Sequence, residues 1–180
     1  GPLGWIIEGH LHLLVRLEPY RVPLIRPHPG VTAAVYTLGA DIGGDGRLVA
    51  AAMDVGSDGL VVLGMGAGHV APGMVAALEA AATEIPVVLA RSVADGPILS
   101  SSYGYAGAET DLLSRGLISA GWLSSRKAHA LLSLLVMGRA QRKEIGDAFR
   151  CLGAPRIGRP PAIRRSLGSF ARHHLGCEPD

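Results

Sequence analysis

A chain of 180 residues, 48% hydrophobic and only 18% charged, has the apolar material for one ordinary folded domain and falls outside the disordered class; with aromatics at 4%, its core must be aliphatic. The formal charge of +2 divides unevenly: residues 1–150 hold 12 Lys+Arg against 13 Asp+Glu, a net of −1, and residues 151–180 hold 5 Arg against 2 acids, a net of +3. A neutral body gives no electrostatic footprint for nucleic acid, and no apolar run approaches the roughly 18 residues of a membrane span.

Residues 3–17 read as a β-hairpin: Leu3-Gly4-Trp5-Ile6-Ile7, a Glu8-Gly9 turn, then His10-Leu11-His12-Leu13-Leu14-Val15. His10 and His12 share one strand face, but a metal would need further ligands and none is evident. Pro19, Pro23, Pro27 and Pro29 make 18–30 an extended connector and place a domain boundary there. Strands and helices then alternate. Val31–Leu38 predicts a strand, Gly39–Gly46 a turn and Arg47–Val55 a short helix ending at Gly56. Gly59–Leu63 is apolar throughout, the kind of strand buried on both faces.

A glycine bend follows, and then a helix from Pro72 to Glu84, with proline suited to the first turn. Pro86–Ala90 predicts a third strand, 91–106 is polar and irregular, and 107–115 is a short helix stopping at Gly116. Ser124–Met137 carries Ala128, Leu131, Leu132, Leu135 and Val136 at helical spacing, and Gln141–Phe149 is a last short helix. The expected fold class is α/β, a small parallel sheet flanked by helices and preceded by a β-hairpin. Residues 151–180 show no clear period. They hold Cys151, Cys177 and His173-His174, without metal-type spacing. An unrelated extension, or read-through in a shifted frame, is expected there.

The bend Gly66-Ala67-Gly68-His69-Val70-Ala71 fits G-x-G-x-x-A between a strand and a helix. A dinucleotide site would also need an acid at the end of the next strand, which ends Leu89-Ala90-Arg91 instead. A tight turn using glycines for geometry alone is a second reading. The third is a ligand-facing edge with the His69 ring pointing out, since open α/β sheets place binding groups at the carboxyl ends of their strands.

Several stretches, in order, resemble the C-terminal part of bacterial-type L-asparaginases, the asparaginase/glutaminase amidohydrolases. They are Gly1-Pro2-Leu3-Gly4-Trp5-Ile6 with Gly9, Asp58-Gly59-Leu60-Val61-Val62, and Gly64-Met65-Gly66-Ala67-Gly68-His69-Val70-Ala71-Pro72. Ile85-Pro86-Val87-Val88, Tyr103-Gly104-Tyr105, Asp111-Leu112-Leu113, Gly116-Leu117-Ile118 and Lys127-Ala128 complete the set.

The resemblance implies a smaller C-terminal domain that lends residues to a neighbouring subunit's active site. The larger N-terminal domain of such enzymes carries the catalytic threonines, one within Thr-Gly-Gly-Thr, with a Thr-Asp pair and a lysine. The resemblance places His69 where the family often has Asn or His, and Glu109 where it has an acid meeting the substrate's amino group. A carboxylate bonded to an ammonium is worth roughly 1.5–3 kcal/mol. Without the resemblance, Glu109 also reads as a helix cap near residue 110.

This chain has four threonines, Thr32, Thr37, Thr83 and Thr110, and none stands beside two glycines. Thr110-Asp111 reads as a helix start, and Lys127 and Lys143 as solvent-facing. No catalytic residue, cofactor or metal is therefore expected on this chain. The expected organisation is a remnant hairpin of a missing N-terminal domain (1–17), a linker (18–30), a C-terminal asparaginase-like domain (31–150) and an irregular basic tail (151–180). The expected ligand is L-asparagine or L-aspartate. An N-terminal asparaginase domain or a second copy is the expected protein partner, and the cytoplasm the expected compartment. The competing expectation is a nonenzymatic amino-acid-binding or regulatory module.

Overall fold

The computed structural model describes residues 4–13, 25–93 and 96–154, which belong to two compact units, an N-terminal hairpin and a body. The hairpin pairs β1 (Gly4–Ile7) with β2 (His10–Leu13) in antiparallel register. Glu8 and Gly9 connect them with φ of 52° and 81°. Positive φ at both turn residues is what lets a two-residue loop match the twist of its strands. Trp5 lies opposite His12 and Ile7 opposite His10, so both histidines share a face with Trp5 and Ile7. Ile6, Leu11 and Leu13 form the other face, and all five large apolar side chains are exposed.

The body opens with β3 (Val35–Gly39), α1 (Arg47–Asp54) and β4 (Gly59–Gly64). A single 3₁₀ turn, Pro72–Met74, leads into α2 (Val75–Glu84), followed by β5 (Val87–Arg91) and α3 (Glu109–Ser114). β6 (Ile118–Ser124), α4 (Ser125–Met137) and α5 (Arg142–Leu152) complete it. The four strands form one parallel sheet in the order β3-β4-β5-β6. Each crossover steps to the next strand in the same direction, and crossovers of one hand then place α1, α2 and α3 on one face. The other face is left to α4 and α5.

Alternation along the central strands builds a core on each side. Leu60, Val62, Val87 and Leu89 pack with Val49, Leu78 and Leu112 on the first face. Val61, Val88 and Ala90 pack with Leu132, Leu135 and Phe149 on the second. This double burial is why β4 reads as apolar without a break.

The α/β expectation, a small parallel sheet with helices and a preceding hairpin, is what the structure has. Three details differ. β3 begins at Val35, because its partner strand begins at Gly59 and the register pairs those two residues. β6 was not foreseen. Its apolar run is short and is broken by Gly121, whose φ of 55° accompanies a register irregularity against β5. The last helix runs to Leu152, and the Trp122 N–H donates to the Gly153 carbonyl at 2.9 Å, so the stretch just past residue 150 packs on β6. Residues 18–24 of the connector and 155–180 of the tail, with Cys177 and His173-His174, lie outside the described residues.

Candidate functional site

The strand order has no reversal, so topology alone opens no crevice at the carboxyl edge. Loops build the site there instead. After β4 the chain folds back on itself: the Met65 N–H donates to the His69 carbonyl at 2.8 Å, and the Gly68 and His69 N–H groups donate to the Met65 carbonyl at 3.0 and 2.9 Å. Gly66 and Gly68 sit at φ 53° and 117°, and a Cβ on Gly64 would lie 2.8 Å from the Gly68 backbone. The glycines are thus needed for geometry. The bend spends these amides internally, whereas a phosphate cradle points its amides at a ligand. That removes the main support for a dinucleotide site. What the bend does project is the His69 side chain.

The second wall is the connection from β5 to α3, stitched to the first. Leu99 N–H donates to the Ala67 carbonyl at 3.1 Å and Val70 N–H to the Gly107 carbonyl at 2.8 Å. Gly107 has φ 86°, and any Cβ there would meet the Val70 oxygen at 2.5 Å. Two residues on, Glu109 opens α3 with its side chain fully covered. Its Oε1 accepts the Ser102 and Tyr103 N–H groups at 2.9 and 2.8 Å. Its Oε2 lies 3.3 Å from His69 Nε2. On the other side of the ring, Tyr105 Oη lies 2.8 Å from His69 Nδ1. The rings of Tyr103 and Tyr105 stand edge-on to the imidazole, with centroids 5.0 and 5.4 Å away, and both are about half exposed.

Burial works against a charged Glu109, but the N–H groups of Tyr103, Glu109 itself and Ser102, with His69 beyond them, hold its carboxyl below the ordinary value. Asp111, in the first turn of α3, is also held low. The Gly107 N–H acts first, burial opposes, and the Arg115 guanidinium assists. Arg115 in turn reaches Glu79 on α2 at 2.6 Å. The result is a buried negative charge under an aromatic rim. A field of that sign favours a cation at the loop edge.

His69 and Glu109, the two residues picked from the sequence, are therefore neighbours. The helix-cap alternative for Glu109 does not hold: α3 has no side-chain cap, Glu109 turns to residues 102–103, and Asp111 takes the N–H of Gly107 ahead of the helix at 2.9 Å. Thr110 and Asp111 begin a helix, as the sequence indicates, and Lys127 and Lys143 are exposed on α4 and α5. Tyr103 and Tyr105 entered the sequence reading only as part of a matching stretch. Their signal is two tyrosines in a polar loop just ahead of a buried acid.

A groove of about 500 Å³ lined by Arg26, Leu135, Glu144 and Asp147 lies elsewhere and includes neither site residue. Among the described residues no three His, Cys, Asp or Glu side chains gather as a metal-ligand set, and no helix is long and apolar enough to cross a membrane.

Comparison with known proteins bears on the family and the fold. The family model of the Glutaminase/Asparaginase C-terminal domain matches residues 21–149. The chain is similar to a probable L-asparaginase of Deinococcus radiodurans, 37% identical over 153 residues, covering 83% of this chain and 45% of that protein. It is also similar to an L-asparaginase of Bacillus licheniformis, 34% identical over 151 residues with the same two coverages. The chain thus spans a little under half the length of the curated relatives it matches. A crystal structure of a probable cytoplasmic L-asparaginase from Campylobacter jejuni superposes with a TM-score of 0.65 at 24% identity, covering 83% of this chain and 45% of that one. That likeness speaks to the fold.

Proposed function

The chain belongs to the Glutaminase/Asparaginase C-terminal domain family, and on that premise we propose that it is the substrate-recognising part of an L-asparaginase-like amidohydrolase, which converts L-asparagine to L-aspartate and ammonia. His69 and Glu109 serve recognition, and the reactive oxygen comes from a partner polypeptide, either an N-terminal asparaginase domain or another subunit. The observation that carries this reading is the His69–Glu109 pair at 3.3 Å, on the carboxyl edge of a parallel sheet and ringed by Tyr103 and Tyr105. A free amino acid brings an ammonium, and a buried negative charge behind His69 and two half-exposed tyrosines favours a cation at this edge.

The reaction needs an activated hydroxyl beside a base. Thr83 is tied to the Ala80 carbonyl within α2, and Thr110 lies in α3. Thr37 does bond His129 Nδ1 at 3.1 Å, but that pair is exposed, and among the described residues no third group bonds the imidazole to orient it as a base. The chain alone is therefore expected to bind and not to hydrolyse. Calorimetric titration of the 180-residue chain with L-aspartate tests the recognition half. Saturable binding that weakens about tenfold or more in His69→Ala, the loss expected for one charge-assisted contact, supports it. An absence of binding, or binding indifferent to His69, overturns it.

A further inference from the structure

Two buried polar atoms in this site, His69 Nε2 and Glu109 Oε2, lack a hydrogen-bond partner, and they face each other across 3.3 Å. They are close enough to bond but turned off the line. Glu109 itself is wholly covered, while His69 keeps 21% of its side chain exposed. A ligand at this edge meets the imidazole and the tyrosines, and the carboxylate lies behind them.

The geometry points to Glu109 as a positioning residue that, together with Tyr105 on the opposite ring nitrogen, locks His69 in its Nε2-protonated tautomer. A carboxylate can only accept, so the nitrogen facing it must carry the proton. Nδ1 then holds a lone pair, and the Tyr105 hydroxyl donates to it at 2.8 Å. The other tautomer would set the Nε2 lone pair against the Glu109 oxygen, with no donor between them. Tyr103 contributes from two directions: its N–H anchors Glu109 Oε1 at 2.8 Å, and its ring stands edge-on to the imidazole. A small rotation of the ring aligns the Nε2–H with Glu109 Oε2, which already lies within 3.3 Å. The order of groups is then carboxylate, imidazole, phenol, with the phenol oxygen left free to accept a ligand's donor. The inference deepens the amino-acid-binding reading and rests on it for its functional meaning.

The test is ¹⁵N magic-angle-spinning spectroscopy of the histidine-labelled full chain, which does not require a monomer. It is run at about pH 8, where an imidazole is ordinarily neutral. The His69 signal is assigned by its loss in His69→Gln. The expected result is a protonated Nε2, with a preference of about tenfold or more over the alternative tautomer. Glu109→Gln keeps an acceptor for Ser102 and Tyr103 but removes the charge, and the preference collapses or inverts. Tyr105→Phe, an exposed change that leaves the core intact, moves the Nδ1 resonance toward its solvent value and keeps the inference testable should Glu109→Gln not fold. A protonated Nδ1 in the parent chain, or a tautomer ratio unmoved by both variants, overturns the inference. Adding L-aspartate to the same samples separates the two claims. A locked tautomer whose signals ignore aspartate removes the binding reading alone. Aspartate-induced shifts with an unlocked ring remove the positioning claim alone.

Discussion

At the residue scale, Glu109 carries a consequence for stability. Its folded carboxyl lies below the ordinary 4.5 and that of Asp111 below 3.8. The folded state therefore binds fewer protons than the unfolded state across that range. The stabilisation is fully present above the ordinary values and is lost as pH falls through the depressed ones. Urea melts of the chain between about pH 7 and pH 3 should show stability falling steeply at the acid end, with a shallower fall in Glu109→Gln and Asp111→Asn. Equal slopes in all three proteins would contradict the assignment. Glu109→Ala goes further, leaving the Ser102 and Tyr103 N–H groups without their acceptor at a cost of about 1–3 kcal/mol. The sequence suggested His69 and Glu109 because residue type and spacing matched a family pattern. It could not show that the acid is covered, since that depends on how residues 100–106 fold back over it.

At the element scale, the site exists because two loops are laced together. The tightest lace is Val70 N–H to the Gly107 carbonyl, at a glycine no side chain can replace without striking the Val70 oxygen. Gly107→Ala is expected to cost at least about 1–2 kcal/mol from the left-handed conformation alone. It should also weaken L-aspartate binding more than an exposed change such as Gly104→Ala, where a Cβ meets nothing within 4 Å. Urea midpoints and titrations of the two variants check this, and matching losses would contradict it.

The same scale shows how far local pattern reaches. β4 and β5 were legible because burial on both faces leaves uninterrupted apolar runs, and α4 because its apolar residues recur at helical spacing. β6 escaped because its residues alternate poorly around the Gly121 irregularity and pair only with β5. The Pro72–Met74 turn shows as a helix start in sequence; that its first turn is 3₁₀ does not.

At the scale of the whole molecule, the hairpin bears on the partner that the proposed function calls for. A two-stranded hairpin is marginal by itself, and this one exposes Trp5, Ile6, Ile7, Leu11 and Leu13 beside strand edges that no other strand pairs among the described residues. The purified 180-residue chain should self-associate in light scattering. Ile6→Lys with Leu11→Lys, which charges one face at a directly opposed pair, should reduce that association. A clean monomer for the parent chain would count against the hairpin as a surface awaiting a partner.

On the proposed function, this polypeptide walls a pocket whose nucleophile another polypeptide brings. Ammonia release from L-asparagine tests it most directly, measured for the chain alone and again with a separately produced domain carrying a Thr-Gly-Gly-Thr motif. No release above buffer is expected for the chain alone, with release on adding the domain and loss of that release in His69→Ala. Binding without release even when the domain is present would make the chain a nonenzymatic amino-acid-binding module. Sustained turnover by the chain alone, freed of contaminating hydrolases, would contradict the claim outright.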